Sequence, residues 1–184
     1  MLFYEESVLV RSEDSVVVIG TDIPELDTDI IDTLVITDST KPSAVEMLMT
    51  TCDVGTVYIP DDEELYELCS NYDSFVVRVE GSMSFGIGTA SVSVTAGQSI
   101  PSLVTRISLG EDRLLICGDM DADRLTELKA IDTGSFGYIA LTAEQKDIAE
   151  ELLNIYTPHT LIFTGTEPYI DGYEIAKETI TLKE

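Results

Sequence analysis

The apolar residues of this chain arrive in short blocks, Val16–Ile19, Leu34–Ile36, Val57–Ile59, Tyr138–Leu141 and Leu161–Phe163, each bounded by polar or turn residues. A block of that length suits a buried β-strand and is far too short to cross a bilayer as a helix. Between the blocks lie segments whose apolar residues recur at helical spacing. Val45, Leu48 and Met49 follow Pro42-Ser43, Leu65, Leu68 and Cys69 follow the acid-rich start Pro60–Glu64, and Ile148, Leu152 and Ile155 follow Thr142. Alternation of strand and helix on this scale predicts an α/β (α+β) domain whose sheets are covered by helices.

Other segments are purely strand-like. Ser7–Val10 and Val16–Ile19 flank the turn Ser12-Glu13-Asp14 and predict a hairpin. Phe75–Val79, Met83–Ile87 and Val92–Thr95 alternate around glycines 81, 86, 88 and 97, which predicts an antiparallel meander. Leu103–Leu109 and Arg113–Cys117 are expected to pair across Gly110-Glu111-Asp112, followed by a helix over Asp121–Lys129. Thr142 with Gln145 reads as a capping box, and Tyr173–Leu182 as a weak terminal strand pair. No linker or low-complexity stretch divides the 184 residues, so one domain over 1–184 is expected, burying roughly 70% of its unfolded surface. Its predicted core is Val17, Ile19, Val35, Ile36, Val57, Ile59, Ile107, Leu115, Ile139, Ile162 and Phe163, shared by two sheets.

Charge removes several functions. Ten Lys and Arg stand against 35 Asp and Glu, a formal net of −25. Nucleic acid binding needs cations that displace phosphate counterions, so no direct contact with nucleic acid is expected. An anionic membrane would repel the chain for the same reason, and a protein partner with a basic face is the expectation instead. The start Met1–Glu6 lacks the pattern of a signal peptide, and Cys52, Cys69 and Cys117 are too widely spaced for a disulfide framework or metal knuckle. Reduced thiols in a soluble, cytoplasmic setting are expected, with a soluble domain of a membrane protein left open. No cofactor is implied. Gly86-Ile87-Gly88 falls within the meander and is no dinucleotide loop, and no G-x-S-x-G elbow occurs. Asp119-Met-Asp121-Ala-Asp123 imitates an EF-hand start but has Arg124 and Ala130 where that loop needs Gly and Glu, so a helix N-terminus is expected there. The single histidine, His159, rules out a two-histidine metal site within one chain.

Four stretches, Ser7–Arg11 with Ser15–Gly20, Ile31–Asp38, Arg106–Met120 and Thr157–Gly165, together with the order of elements, resemble the metallo-β-lactamase fold, a four-layer αββα sandwich. More specifically, they resemble the C-terminal domain of the ComEC-family DNA-internalisation competence proteins. The resemblance implies a dinuclear metal loop H-x-H-x-D-H after the third strand, whose positions here hold Asp38, Thr40, Pro42 and Ser43. The family's later histidine pair falls near Thr142 and Ala143 and its last histidine near Asp171, while Asp119 alone stands as the family has it. The resemblance therefore implies a degenerate domain that binds or scaffolds rather than hydrolyses. The alternative is a phosphodiesterase-like hydrolase holding Mg²⁺, Mn²⁺ or Ca²⁺ on Asp38, Asp119 and Asp171, with Thr40, Ser43 and Thr142 around the pocket.

Overall fold

The structure, a computed structural model, describes residues 1–3, 7–12, 14–21, 26–38, 41–131, 134–142, 145–158, 160–164 and 174–175. The first sheet has strands β1 (Leu2–Phe3), β2 (Val8–Arg11), β3 (Val16–Ile19), β4 (Ile30–Val35), β5 (Asp53–Ile59) and β6 (Phe75–Arg78), in that order. The second has β7 (Ser82–Ile87), β8 (Ala90–Ala96), β9 (Leu103–Leu109), β10 (Asp112–Ile116), β11 (Tyr138–Thr142), β12 (Thr160–Thr164) and β13 (Glu174–Ile175), again in chain order. Each half opens with antiparallel strands and closes on a parallel βαβαβ run. Helices α1 (Pro42–Thr51) and α2 (Glu63–Cys69) link β4, β5 and β6, while α3 (Ala122–Ile131) and α4 (Lys146–Tyr156) link β10, β11 and β12.

Three apolar layers hold these elements together. Between the sheets lie Val17, Ile19, Val35, Val92, Ile107, Ile116 and Ile162, all buried. Outside the first sheet Leu34, Ile36, Val57 and Ile59 pack against Val45, Leu48 and Met49 of α1 and Leu65 and Cys69 of α2. Outside the second, Leu115, Ile139 and Leu161 pack against Leu125 and Leu128 of α3 and Leu152, Leu153 and Tyr156 of α4. The period-2 alternation of the strands thus feeds two layers at once, and the result is the expected αββα sandwich. Every predicted core residue is buried except Phe163, whose side chain lies outside the described residues.

Helix ends follow their sequence signals. Pro42 is the first residue of α1, where its missing N–H costs nothing. Asp62 caps α2 by accepting from the N–H of Leu65 at 2.9 Å, with Glu63 and Glu64 in the first turn. Asp121 accepts from the N–H of Arg124 at 2.7 Å, so the acidic run 119–123 starts a helix as expected.

One expectation is corrected. Phe75–Arg78 does not belong to the meander: the α2 crossover returns it parallel to β5 in the first sheet, with Val57 opposite Val76 and Ile59 opposite Arg78. The chain changes sheet just afterwards, at Val79-Glu80-Gly81, and the meander is β7 to β10. The expected capping box of Thr142 with Gln145 falls on a Thr142 side chain outside the described residues; Thr142 ends β11, and the Gln145 amide reaches backbone carbonyls of the strand-end loop. Helix α1 stops at Thr51, and Asp53-Val54-Gly55 open β5, where Gly55 lies so close to β4 that a Cβ would sit 3.0 Å from the Asp32 carbonyl. Of the terminal strand pair only β13 falls among the described residues, parallel to β12.

Candidate functional site

In an open α/β sheet the loops after the parallel strands gather at one rim, where sites are built. Here β4 runs into Ile36-Thr37-Asp38 and β10 into Cys117-Gly118-Asp119. The two loops touch. Leu103, the first residue of β9, donates its N–H to the Thr37 carbonyl at 2.7 Å, and a Cβ on Gly118 would sit 2.5 Å from the Leu103 carbonyl and 3.0 Å from that of Thr37. Only glycine fits there. Asp38 and Asp119 each follow one member of this contact in the chain. Asp38 is half-buried and accepts from the Thr37 hydroxyl at 3.2 Å, and Asp119 is exposed.

The third side of the rim is Gln145, buried at the start of α4. Its amide donates to the Cys117 carbonyl at 3.2 Å and to the Gly118 carbonyl. This residue was missed as a site member because Thr-x-x-Gln is indistinguishable in sequence from a capping box. Its contacts matter: a glutamine amide already holds the loop that carries Asp119.

The remaining expected positions divide. Pro42 and Ser43 are the first two residues of α1, and both are exposed. Thr142 ends β11 beside Thr164 of β12, with its side chain outside the described residues. Thr40, Ala143, His159 and Asp171 also lie outside them. Among the described residues no group of three His, Cys, Asp or Glu side chains stands close enough to hold a metal. Cys117, next to the rim, is buried, and burial pushes its thiol up to about 12 although Arg124 and Arg106 pull the other way.

Behind the rim is a charge cluster that the sequence did not reveal. Arg124 of α3 is fully buried, donating to the Thr95 carbonyl at 2.8 Å and to Glu127 at 3.0 Å. Glu127 also accepts the N–H groups of Gln98 and Ser99 at 3.0 and 2.8 Å, which fastens the loop 97–102 to α3. Gly97 lies against the same arginine, with room for no Cβ. Other cations are likewise matched: Arg11 faces Asp27, Arg78 faces Glu63 at 2.7 Å, and Lys129 faces Glu151. These four basic side chains are each matched to a carboxylate.

The rim contact predicts its own test. Gly118→Ala drives a methyl into backbone that cannot swing aside, so the unfolding midpoint in urea should fall by the equivalent of about 2–3 kcal/mol. A substitution without effect would mean that the Thr37 and Gly118 loops are not in contact.

No protein-family model and no curated protein matches the chain in sequence. Solved structures do match its shape. A CmlA β-hydroxylase E377D mutant superposes with TM-score 0.63 at 14% identity, covering 91% of this chain and 46% of the other, so this chain spans less than half of that protein. The metallo-β-lactamase fold protein YhfI from Bacillus subtilis gives 0.61 at 9% identity, covering 88% and 78%. The short form of human tRNase Z gives 0.54 at 13% identity, covering 86% and 84%. Two sheets face to face, a helix pair outside each, and a rim formed by the loops after β4 and β10: the chain has the metallo-β-lactamase fold.

Proposed function

We propose that this chain is a metallo-β-lactamase-fold binding module in which the dinuclear metal centre has been given up, of the kind that accompanies DNA-uptake proteins, and that it engages a protein partner with a basic face. The observation that carries this is the fate of the rim. A dinuclear centre needs side chains that donate to two cations while leaving a place for water. At the positions that match the family's metal loop Pro42 has no donor atom and serves as the first residue of α1, and Ser43 continues that helix, while the Gln145 amide holds the Gly118 carbonyl. The residues at those positions do not fit two metal ions. A net charge of −25, with the buried or paired arginines described above, suits a basic protein surface and repels phosphates.

The contact of Thr37 with Gly118, which Asp38 and Asp119 follow in the chain, favours the second reading, a hydrolase using a carboxylate-held hard cation. One experiment separates the two. Protein equilibrated with Zn²⁺, Mg²⁺ or Mn²⁺ and then freed of excess metal is assayed for metal content and for cleavage of a nitrophenyl phosphodiester. The binding module should retain no stoichiometric ion and show no turnover. About one bound ion per chain, with turnover abolished by Asp119→Ala, would replace it with the hydrolase.

A further inference from the structure

The sandwich is open along one side. β6 ends the first sheet and β7 the second, and the chain crosses between them at 79–81. Among the described residues β7 has β8 on one flank and no strand on the other. Soluble proteins protect such edges with charge, proline, bulges or shortness. The other three edges conform: β1 and β13 have two residues each, and β6 has four and carries Arg78. β7 has six residues in an unbroken register with β8, and neither charge nor proline. It lies within a run from Gly81 to Thr105 that contains no charged side chain, in a chain where 24% of residues are charged.

The side chains along this opening are apolar. Ile87 and Phe85 face the inter-sheet layer, and Met83, at the next alternate position of the strand, is 39% exposed. Phe75, the first residue of β6, is 71% exposed. Tyr58 of β5 and Phe85 stack with ring centroids 4.9 Å apart and bridge the two sheets beneath. The frame is acidic: Asp73 precedes β6, Glu80 lies in the crossover, and Asp61 and Glu63 share the one cation Arg78.

The backbone of β7 is set for pairing. The two-residue turn Gly88-Thr89, with Gly88 at φ +57°, closes the hairpin on the pair Ile87 and Ala90. From that pair the antiparallel alternation sends the N–H and C=O groups of Ile87, Phe85 and Met83 to β8, and those of Gly86, Ser84 and Ser82 to the open side.

We propose that the β7 edge receives an extended segment of another protein, apolar at alternate positions and flanked by Lys or Arg, which adds to the sheet as a further strand. The proposal names the partner chemistry of the binding module and rests on that reading. Backbone hydrogen bonds to Ser82, Ser84 and Gly86 give affinity, the apolar positions cover Met83, and the basic flanks meet Asp73 and Glu80. A second copy of this chain is the weaker occupant, because it would bring two chains of charge −25 and two copies of Glu80 together.

The test uses a synthetic peptide, Lys-Lys-Val-Thr-Val-Thr-Val-Lys-Lys, titrated into isotope-labelled protein. Saturable amide shifts should concentrate on β7 and β8. Ser84→Pro removes an outward N–H and no ladder bond, so it should keep its unfolding midpoint and bind about tenfold more weakly or worse. A peptide with proline in place of the central valine should fail likewise. Shifts scattered over the acidic surface and unchanged by Ser84→Pro, an absence of shifts, or concentration-dependent dimers abolished by Ser84→Pro would each overturn the proposal. Metal-dependent turnover would instead remove the binding-module reading while leaving peptide capture at β7 intact, so the two failures are distinguishable.

Discussion

Val35→Asp abolishes folding. Val35 has no exposed surface, sits on β4 between β3 and β5 opposite Ile19 and Tyr58, and faces the layer shared by the two sheets. A carboxylate there has no cation to meet and no water to solvate it. Leaving it ionised or forcing it to take up a proton costs several kcal/mol, on the scale of the roughly 5–15 kcal/mol that holds a domain together. The expected result is insoluble protein or soluble protein without a cooperative thermal transition. A soluble Val35→Asp protein that unfolds cooperatively at neutral pH would remove β4 from the interior and with it the two-sheet core.

The second large effect is an asymmetry within one ion pair. Arg124 is buried and Glu127 partly exposed, so removing either partner is not equivalent. Glu127→Ala leaves a buried guanidinium without its counter-charge and frees the N–H groups of Gln98 and Ser99, a loss of about 3–5 kcal/mol. Arg124→Met replaces the buried cation with an apolar chain and strands mainly the Thr95 carbonyl, a loss of about 1–2 kcal/mol. The double variant should therefore be more stable than Glu127→Ala alone, which denaturant unfolding of the three proteins checks directly. If Glu127→Ala were the milder single substitution, Arg124 would not depend on it. Burial pushes the Glu127 carboxyl up, but hydrogen bonds from Gln98, Arg124 and Ser99 outweigh it and hold the group below its ordinary value. Its contribution to stability is thus complete above the ordinary glutamate range and declines as pH falls through the depressed value.

How much of this could be read from the chain varies with what decides each feature. The apolar blocks at Val16–Ile19, Leu34–Ile36 and Val57–Ile59 are strands because nothing else buries them on both faces, and they are strands in the structure. The pairing of Phe75–Arg78 was not legible. Its alternation is the same in a parallel or antiparallel ladder, and the deciding element is the crossover helix α2 rather than the strand itself. Gln145 shows the limit of local patterns: Thr-x-x-Gln predicts a contact close by, and nothing in that pattern tells that the amide satisfies carbonyls 27 and 28 residues away. Arg124 follows an acidic helix start and looks solvated by composition, so its burial emerges only when α3 is laid against β8 and the loop after it. At the rim the resemblance gives Asp38 and Asp119 as site positions, and the residues before them, Thr37 and Gly118, are in contact.

The order of strands has a consequence for how this molecule comes to be folded. In both sheets every strand lies beside the strand that precedes or follows it in the chain, and the passage between sheets happens once, over Val79-Glu80-Gly81. Loop-closure entropy is therefore met in small steps as each half zips along itself, and little long-range search is needed to pair strands. The slow event is the meeting of the two halves, when residues such as Val17 and Ile107, far apart in sequence, first share a layer. During synthesis the amino-terminal half can acquire its strands and its outer helices while its inner face still waits for a partner that has not yet left the ribosome.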